Sequence, residues 1–264
     1  MIRKIDTNWK ICDAFIWRRE YLHPIREFNT FSIDNLVGID EQKDALLKNT
    51  ESFINNKGGL NTLLYGPRGC GKSTLVRAVF TKYLGGNLKI VQITTQDVDV
   101  IPIFVDAMRI QPYKFIIFCD DLSFEEDDIS YKSLKVVLDG SIEKIPNNVL
   151  LYATSNRKHL MKEFDSDNTN TSIINKELHF QDSVEERISL SDRFSLSIPF
   201  FKTNTEEYLR IVSIYFGEEI SNDIKTQALA YATQRGSKSG RVAQDFYKAK
   251  KIGLIKQTTF KGKI

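Results

Sequence analysis

Between Asn61 and Phe200, short apolar runs alternate with longer segments whose apolar residues recur at helical spacing. Thr62-Leu63-Leu64-Tyr65 reads as a strand that enters a glycine-rich turn and then a helical segment, Lys72 to Leu84, halted by Gly85-Gly86. Leu88 to Ile93, Phe115 to Cys119 and Val149 to Ala153 read as further strands, with helical segments around Val98 to Met108 and Ile129 to Leu138 between them. A fifth strand candidate, Leu196 to Phe200, follows a polar stretch from Asp165 to Ser172 that reads as a loop insertion. Strands alternating with helices predict a parallel sheet covered on both faces. Beyond Pro199 the strand signals stop, and three helical segments follow: Thr205 to Phe216, Ser221 to Arg235 and Ser239 to Lys251. Ser221 is the expected N-cap and Gly236 the expected stop of the middle one. Residues 1 to about 35 show no clean period and read as an extension packed on the main body. The expected organisation is an N-terminal extension (1–35), an α/β core (36–200) and a small all-helical lid with a basic tail (201–264).

Composition narrows the class without naming a partner. A hydrophobic fraction of 41% and a charged fraction of 27% over 264 residues belong to an ordinary globular chain with a full core. The net charge is only +3, yet Lys248, Lys250, Lys251, Lys256, Lys261 and Lys263 crowd the last seventeen residues without an acid. Such lysines either neutralise backbone phosphates or form the solvated end of a terminal helix. The three cysteines, Cys12, Cys70 and Cys119, form no CxxC pair, which argues for a reducing compartment, the cytoplasm by default. No run approaches the roughly 18 apolar residues of a membrane span, so no membrane insertion is expected.

The strongest chemical signal is Gly66-Pro67-Arg68-Gly69-Cys70-Gly71-Lys72-Ser73, followed by Thr74, a full match to G-x-x-x-x-G-K-[ST] between a strand and a helix. Its glycines let backbone N–H groups turn inward around phosphates. Lys72 is expected to reach the β- and γ-phosphates, and the Ser73 hydroxyl to ligate Mg²⁺ at the positive end of the following helix. A second signal, Phe115-Ile116-Ile117-Phe118-Cys119-Asp120-Asp121, is an apolar strand ending in two carboxylates. In a P-loop nucleotidase the first such acid, here Asp120, holds the Mg²⁺ shell, and the next, Asp121, polarises the attacking water. Cys70 occupies a variable position of the loop, and His159 reads as a surface residue.

With these motifs in order, the chain from Asn35 to Arg241 resembles the AAA+ ATPases. The resemblance implies a five-stranded parallel sheet of order 5-1-4-3-2 flanked by helices, with ATP and Mg²⁺ held between core and lid. It implies that Val37-Gly38 receives adenine and that Asn156, closing Thr154-Ser155-Asn156, is the polar side chain near the attacking water. Arg193, in Ser191-Asp192-Arg193-Phe194, would be an arginine finger reaching the neighbouring subunit's nucleotide. Arg241, in Ser239-Gly240-Arg241, would contact the phosphates of its own subunit. More narrowly, Asp120-Asp121-Leu122-Ser123-Phe124-Glu125, Tyr152-Ala153-Thr154-Ser155-Asn156-Arg157 and Ile188-Ser189-Leu190-Ser191-Asp192-Arg193-Phe194 are similar to a family of short bacterial AAA+ proteins known only as a domain of unknown function.

The implied activity is Mg-ATP hydrolysis coupled to remodelling or loading of an unidentified protein or nucleic-acid partner by a nucleotide-dependent homo-oligomer, a ring or open ring. One departure opens an alternative. Most hydrolysing AAA+ proteins carry Glu where this chain has Asp121, one methylene shorter, so either Glu125 or Glu126 substitutes or the protein is a slow switch or scaffold. Thr94 to Gln111 carries no aromatic-apolar-Gly triplet of the kind threading motors use. The residues after the lid are too few for a separate DNA-reading module, which leaves a nucleic-acid loader acting through the tail as a third reading.

Overall fold

The computed structural model describes residues 5, 7–124, 131–139, 146–157 and 190–255. One seven-stranded sheet organises it: β1 (Ala14–Arg18), β2 (Tyr21–Ile25), β3 (Thr62–Tyr65), β4 (Leu88–Ile93), β5 (Lys114–Cys119), β6 (Val149–Ser155) and β7 (Leu196–Pro199), in the order β2-β1-β4-β5-β6-β3-β7. This corrects the five-stranded parallel expectation. The five expected strands keep their mutual order, and residues 14–25, expected as an extension, add two strands at the β4 edge. Strand β1 runs parallel to β4, whereas β2 is antiparallel to β1, so the sheet is mixed.

Side chains alternate across the sheet as a strand buried on both faces requires. In β5, Phe115, Ile117 and Cys119 join one core, with α3 (Ile101–Arg109) and α4 (Tyr131–Asp139) among its contributors. Ile116 and Phe118 join the other, built with α1 (Asp40–Ile54) and α2 (Lys72–Lys82). Trp9 anchors the N-terminal strands, its ring edge-on to Phe15 at 5.0 Å and to Phe115 at 4.9 Å. Asp13 ties the same segment to the sheet, accepting from Lys89 Nζ at 2.6 Å and from the Gly85 N–H at 2.7 Å.

The lid comprises α5 (Thr205–Phe216), α6 (Asn222–Gln234) and α7 (Gly240–Lys251), packed around Tyr208, Val212, Ala228, Ala243 and Phe246. Each helix starts where its sequence supplies a cap. Asn204 and Glu207 form a reciprocal capping box on α5, and Ser221 and Ser239 accept from the third residue beyond them on α6 and α7. No helix among the described residues is long and apolar enough to cross a membrane.

If the N-terminal strands belong to the core, Phe15→Ala will destabilise the protein by about 3–5 kcal/mol in urea titrations. Tyr21→Ala, on the outer strand and 54% exposed, will stay within about 0.5 kcal/mol of the parent.

Candidate functional site

The carboxyl ends of β3, β5 and β6 meet at one point because β3 pairs with β6 and β6 with β5, all parallel. Beyond Tyr65 the chain enters the 66–71 loop. The Gly66 N–H donates to Ser155 O at 3.2 Å, and a Cβ on Gly66 would lie 2.2 Å from Phe200 O, so only glycine passes between the β6 and β7 ends. Gly69 and Gly71 have φ of +78° and +98°, and Gly71 is the N-cap of α2. The loop therefore delivers Lys72 and Ser73 to the first turn of a helix whose amino end attracts anions.

Five expected residues converge there, in two hydrogen-bonded sets. Lys72 is buried, and its Nζ donates to Gly66 O at 2.7 Å, Pro67 O at 2.8 Å and Asn156 Oδ1 at 3.2 Å. The Ser73 hydroxyl donates to Asp120 Oδ1 at 2.5 Å, and Asn156 Nδ2 donates to Asp121 Oδ1. Asn156 thus bridges the cation of the loop to the second carboxylate. Desolvation by burial pulls the Lys72 pKa down, opposed by Cys70, Asp121 and Asp120 nearby; phosphate oxygens beside the ammonium would oppose it further. Burial pushes the Cys70 thiol up, its Sγ resting 2.8 Å from Pro67 O, which fits a loop-filling residue and not a reactive thiolate.

The remaining expected residues lie around these two sets. Arg68 is exposed at the loop tip, and the Thr74 hydroxyl accepts from Arg77 at 3.3 Å. Leu36 and Ile39, flanking Val37 and Gly38, approach within 3.9 and 3.8 Å of where a Gly71 Cβ would stand. Gly38, at φ +73°, lies under the α5 capping carboxylate, Glu207, whose Cδ and Oε1 are 2.6 Å from a Cβ placed there. Gly69 likewise abuts Ser239, the N-cap of α7. The amino ends of two C-terminal helices therefore reach Gly38 and Gly69. Arg241 is exposed on the first turn of α7, with no hydrogen bond or ion pair to the described residues. Arg193 donates through Nε to Asp139 Oδ2 at 2.5 Å. Glu125, Glu126, His159 and nearly all of the 157–190 segment fall outside the described residues, as do Lys256, Lys261 and Lys263. Of the described tail lysines, Lys250 donates to Gln227 Oε1 at 2.6 Å and Lys251 lies 5.9 Å from the centroid of the Tyr247 ring.

The sequence reading missed Thr154, buried at the end of β6 and hydrogen-bonded to both carboxylate residues, and Asp139, the partner of Arg193. It also gave no reason for Asp at position 121. That residue has φ +56°, a left-handed backbone in which Asp and Asn are the best tolerated non-glycine types. Asp121→Ala and Asp121→Gly delete the same carboxylate, so their difference isolates this strain. The glycine variant will be the more stable by about 1 kcal/mol in urea unfolding. Equal stabilities would contradict the left-handed turn.

The donor set fits a magnesium nucleotide. A hydroxyl paired with a carboxylate offers hard oxygen ligands, and the glycine loop with its helix terminus and ammonium offers an anion seat. The family model described as a protein of unknown function (DUF815) matches residues 10–252. No curated protein matches the sequence. Among solved structures, the fold is similar to the Aeropyrum pernix ORC1 protein in complex with DNA, with TM-score 0.59 and 17% identity over 83% of this chain and 61% of that one. It is similar also to Thermotoga maritima RuvB, a Holliday junction branch migration motor, at 0.54 and 16% over 84% of this chain and 65% of that one. A mutant form of the same RuvB gives 0.57 and 17%, over 87% and 67%. This chain thus spans about two thirds of those proteins or less, and at such identities the likeness extends to the fold alone. That fold is the AAA+ P-loop architecture, and the chain belongs to the DUF815 family.

Proposed function

We propose that the protein is an AAA+ ATPase that couples Mg-ATP hydrolysis to the remodelling or loading of a macromolecular partner. The observation that carries this reading is the hydrogen-bonded convergence of Lys72, Ser73, Asp120, Asp121 and Asn156 at the ends of three parallel strands. Phosphoryl transfer asks mainly for positioning and charge stabilisation, and these residue types supply both.

The 66–74 loop and the amino end of α2 bind the phosphate chain, with Val37-Gly38 beside the base. Lys72 turns its ammonium from the loop carbonyls to the β- and γ-phosphates. Ser73 and Asp120 hold Mg²⁺, which when bound neutralises charge on the β- and γ-oxygens. Asp121, oriented by Asn156, accepts a proton from the attacking water. Arg241 approaches the phosphates from the lid, and Arg193 reaches the nucleotide of an adjacent copy, so the working unit is a homo-oligomer, a ring or an open one. The RuvB motor and the DNA-bound ORC1 protein make nucleic acid a reasonable class of partner for this fold. The C-terminal lysines would then add a salt-dependent contact.

A second reading, an ATP-dependent switch that barely hydrolyses, is favoured by Asp121 itself, whose short carboxylate is engaged by Asn156. Turnover measured with Mg²⁺ over a wide range of protein concentration separates the two. As an ATPase with a finger in trans, the protein will show activity per subunit that rises with concentration. Lys72→Ala will abolish it, and Arg193→Ala will lower it by about 10³-fold or more. Flat, near-zero turnover despite tight ATP binding, with a tenfold gain in Asp121→Glu, would establish the switch instead.

A further inference from the structure

Thr154 is the penultimate residue of β6 and only 1% exposed. Its hydroxyl is used twice. It donates to Asp120 Oδ1 at 2.6 Å and accepts from the Asp121 N–H at 2.9 Å. The Thr154 carbonyl then accepts from the Leu122 N–H at 2.6 Å. Three consecutive residues beyond β5 are therefore tied to one residue of the neighbouring strand. Capture of two successive N–H groups bends the chain sharply, and Asp121 takes its left-handed φ of +56° at that bend. The bend delivers the Asp121 carboxylate to Asn156, two residues along from Thr154. Asp120 Oδ1 receives the hydroxyls of both Thr154 and Ser73, which fixes the rotation of the carboxylate about its Cβ–Cγ bond and leaves Oδ2 without a hydrogen bond among the described residues.

We propose that Thr154 is a positioning residue that sets both acids at once: the hydroxyl proton orients Asp120 toward the metal shell, and the hydroxyl oxygen with the carbonyl builds the turn that aims Asp121. The inference rests on the magnesium-nucleotide reading of the site. Valine has nearly the same shape, so Thr154→Val removes the donor and acceptor while preserving packing. Groups that orient metal ligands from the next layer outward typically change metal affinity or activity by about 10–100-fold when removed.

The test uses the full chain and a fluorescent ATP analogue, mant-ATP, with its affinity measured once in EDTA and once in Mg²⁺. The ratio of the two affinities reads the metal contribution and is insensitive to a general loss of stability. Wild type will bind more tightly with Mg²⁺. Thr154→Val will keep the EDTA affinity within about twofold and lose about tenfold or more of the Mg²⁺-dependent gain. Thr154→Ala will lose it as well, whereas Thr154→Ser, which keeps the hydroxyl, will restore it. Hydroxyl-free variants with a wild-type Mg²⁺ gain, or a serine variant that loses it, would overturn the assignment. A wild-type chain that binds mant-ATP in neither condition would overturn the nucleotide reading and this inference with it.

Discussion

The parallel pairing of β3 between β6 and β7 is the constraint on which the rest of the site depends. Tyr65, the last residue of β3, lies opposite Ser155 on one side and Pro199 on the other. The chain must leave the sheet between two strand ends, and the 2.2 Å approach of a Gly66 Cβ to Phe200 O leaves no room for a side chain there. From that one exit follow the inward-facing loop, the start of α2 at Lys72 and the 2.5 Å contact of Ser73 with Asp120 across the sheet. The chemistry is assembled by backbone register, and the side chains complete it.

Register also explains how separate stretches of sequence come to act together. Asp120 and Asp121 follow β5, while Thr154 lies near the end of β6 and Asn156 just beyond it, and the alignment of Cys119 with Ala153 sets the two pairs side by side. Asn156 reaches both Lys72 and Asp121, so the loop that would grip phosphate and the acid that would orient water share a neighbour. Any shift of β6 by one residue would turn its side chains to the opposite face and dismantle both contacts. The lid is joined to the same centre by two close approaches, Gly69 to Ser239 and Gly38 to Glu207. Any movement of these helices would shift α5 and α7 against Gly38 and Gly69 together.

Much of this was legible in the sequence, where local signals were strong. The glycine-rich loop, the acid pair and the three capped C-terminal helices each carry their signal within a dozen residues, and Ser221 caps its helix where the pattern places it. The N-terminal hairpin was not legible, for a physical reason. Its two-residue connection is Arg19-Glu20, with Arg19 at φ +57°, where Asn-Gly or a similar pair is the usual signal. Its outer strand carries Pro24, which lowers strand expectation everywhere except at a sheet edge, and β2 is that edge. The roles of Thr154 and Asp139 were invisible for another reason. Their partners lie 34 and 54 positions away, and no local period encodes contacts at that range.

Hydrogen–deuterium exchange of the full chain with and without saturating Mg-ATP tests the central claim most directly, because it localises the nucleotide without assuming turnover. The account expects protection to rise together in the 66–74 loop, around 120–122 and 154–156, and at the amino ends of α5 and α7. Unchanged exchange in the 66–74 loop, or protection confined to another surface, would contradict it.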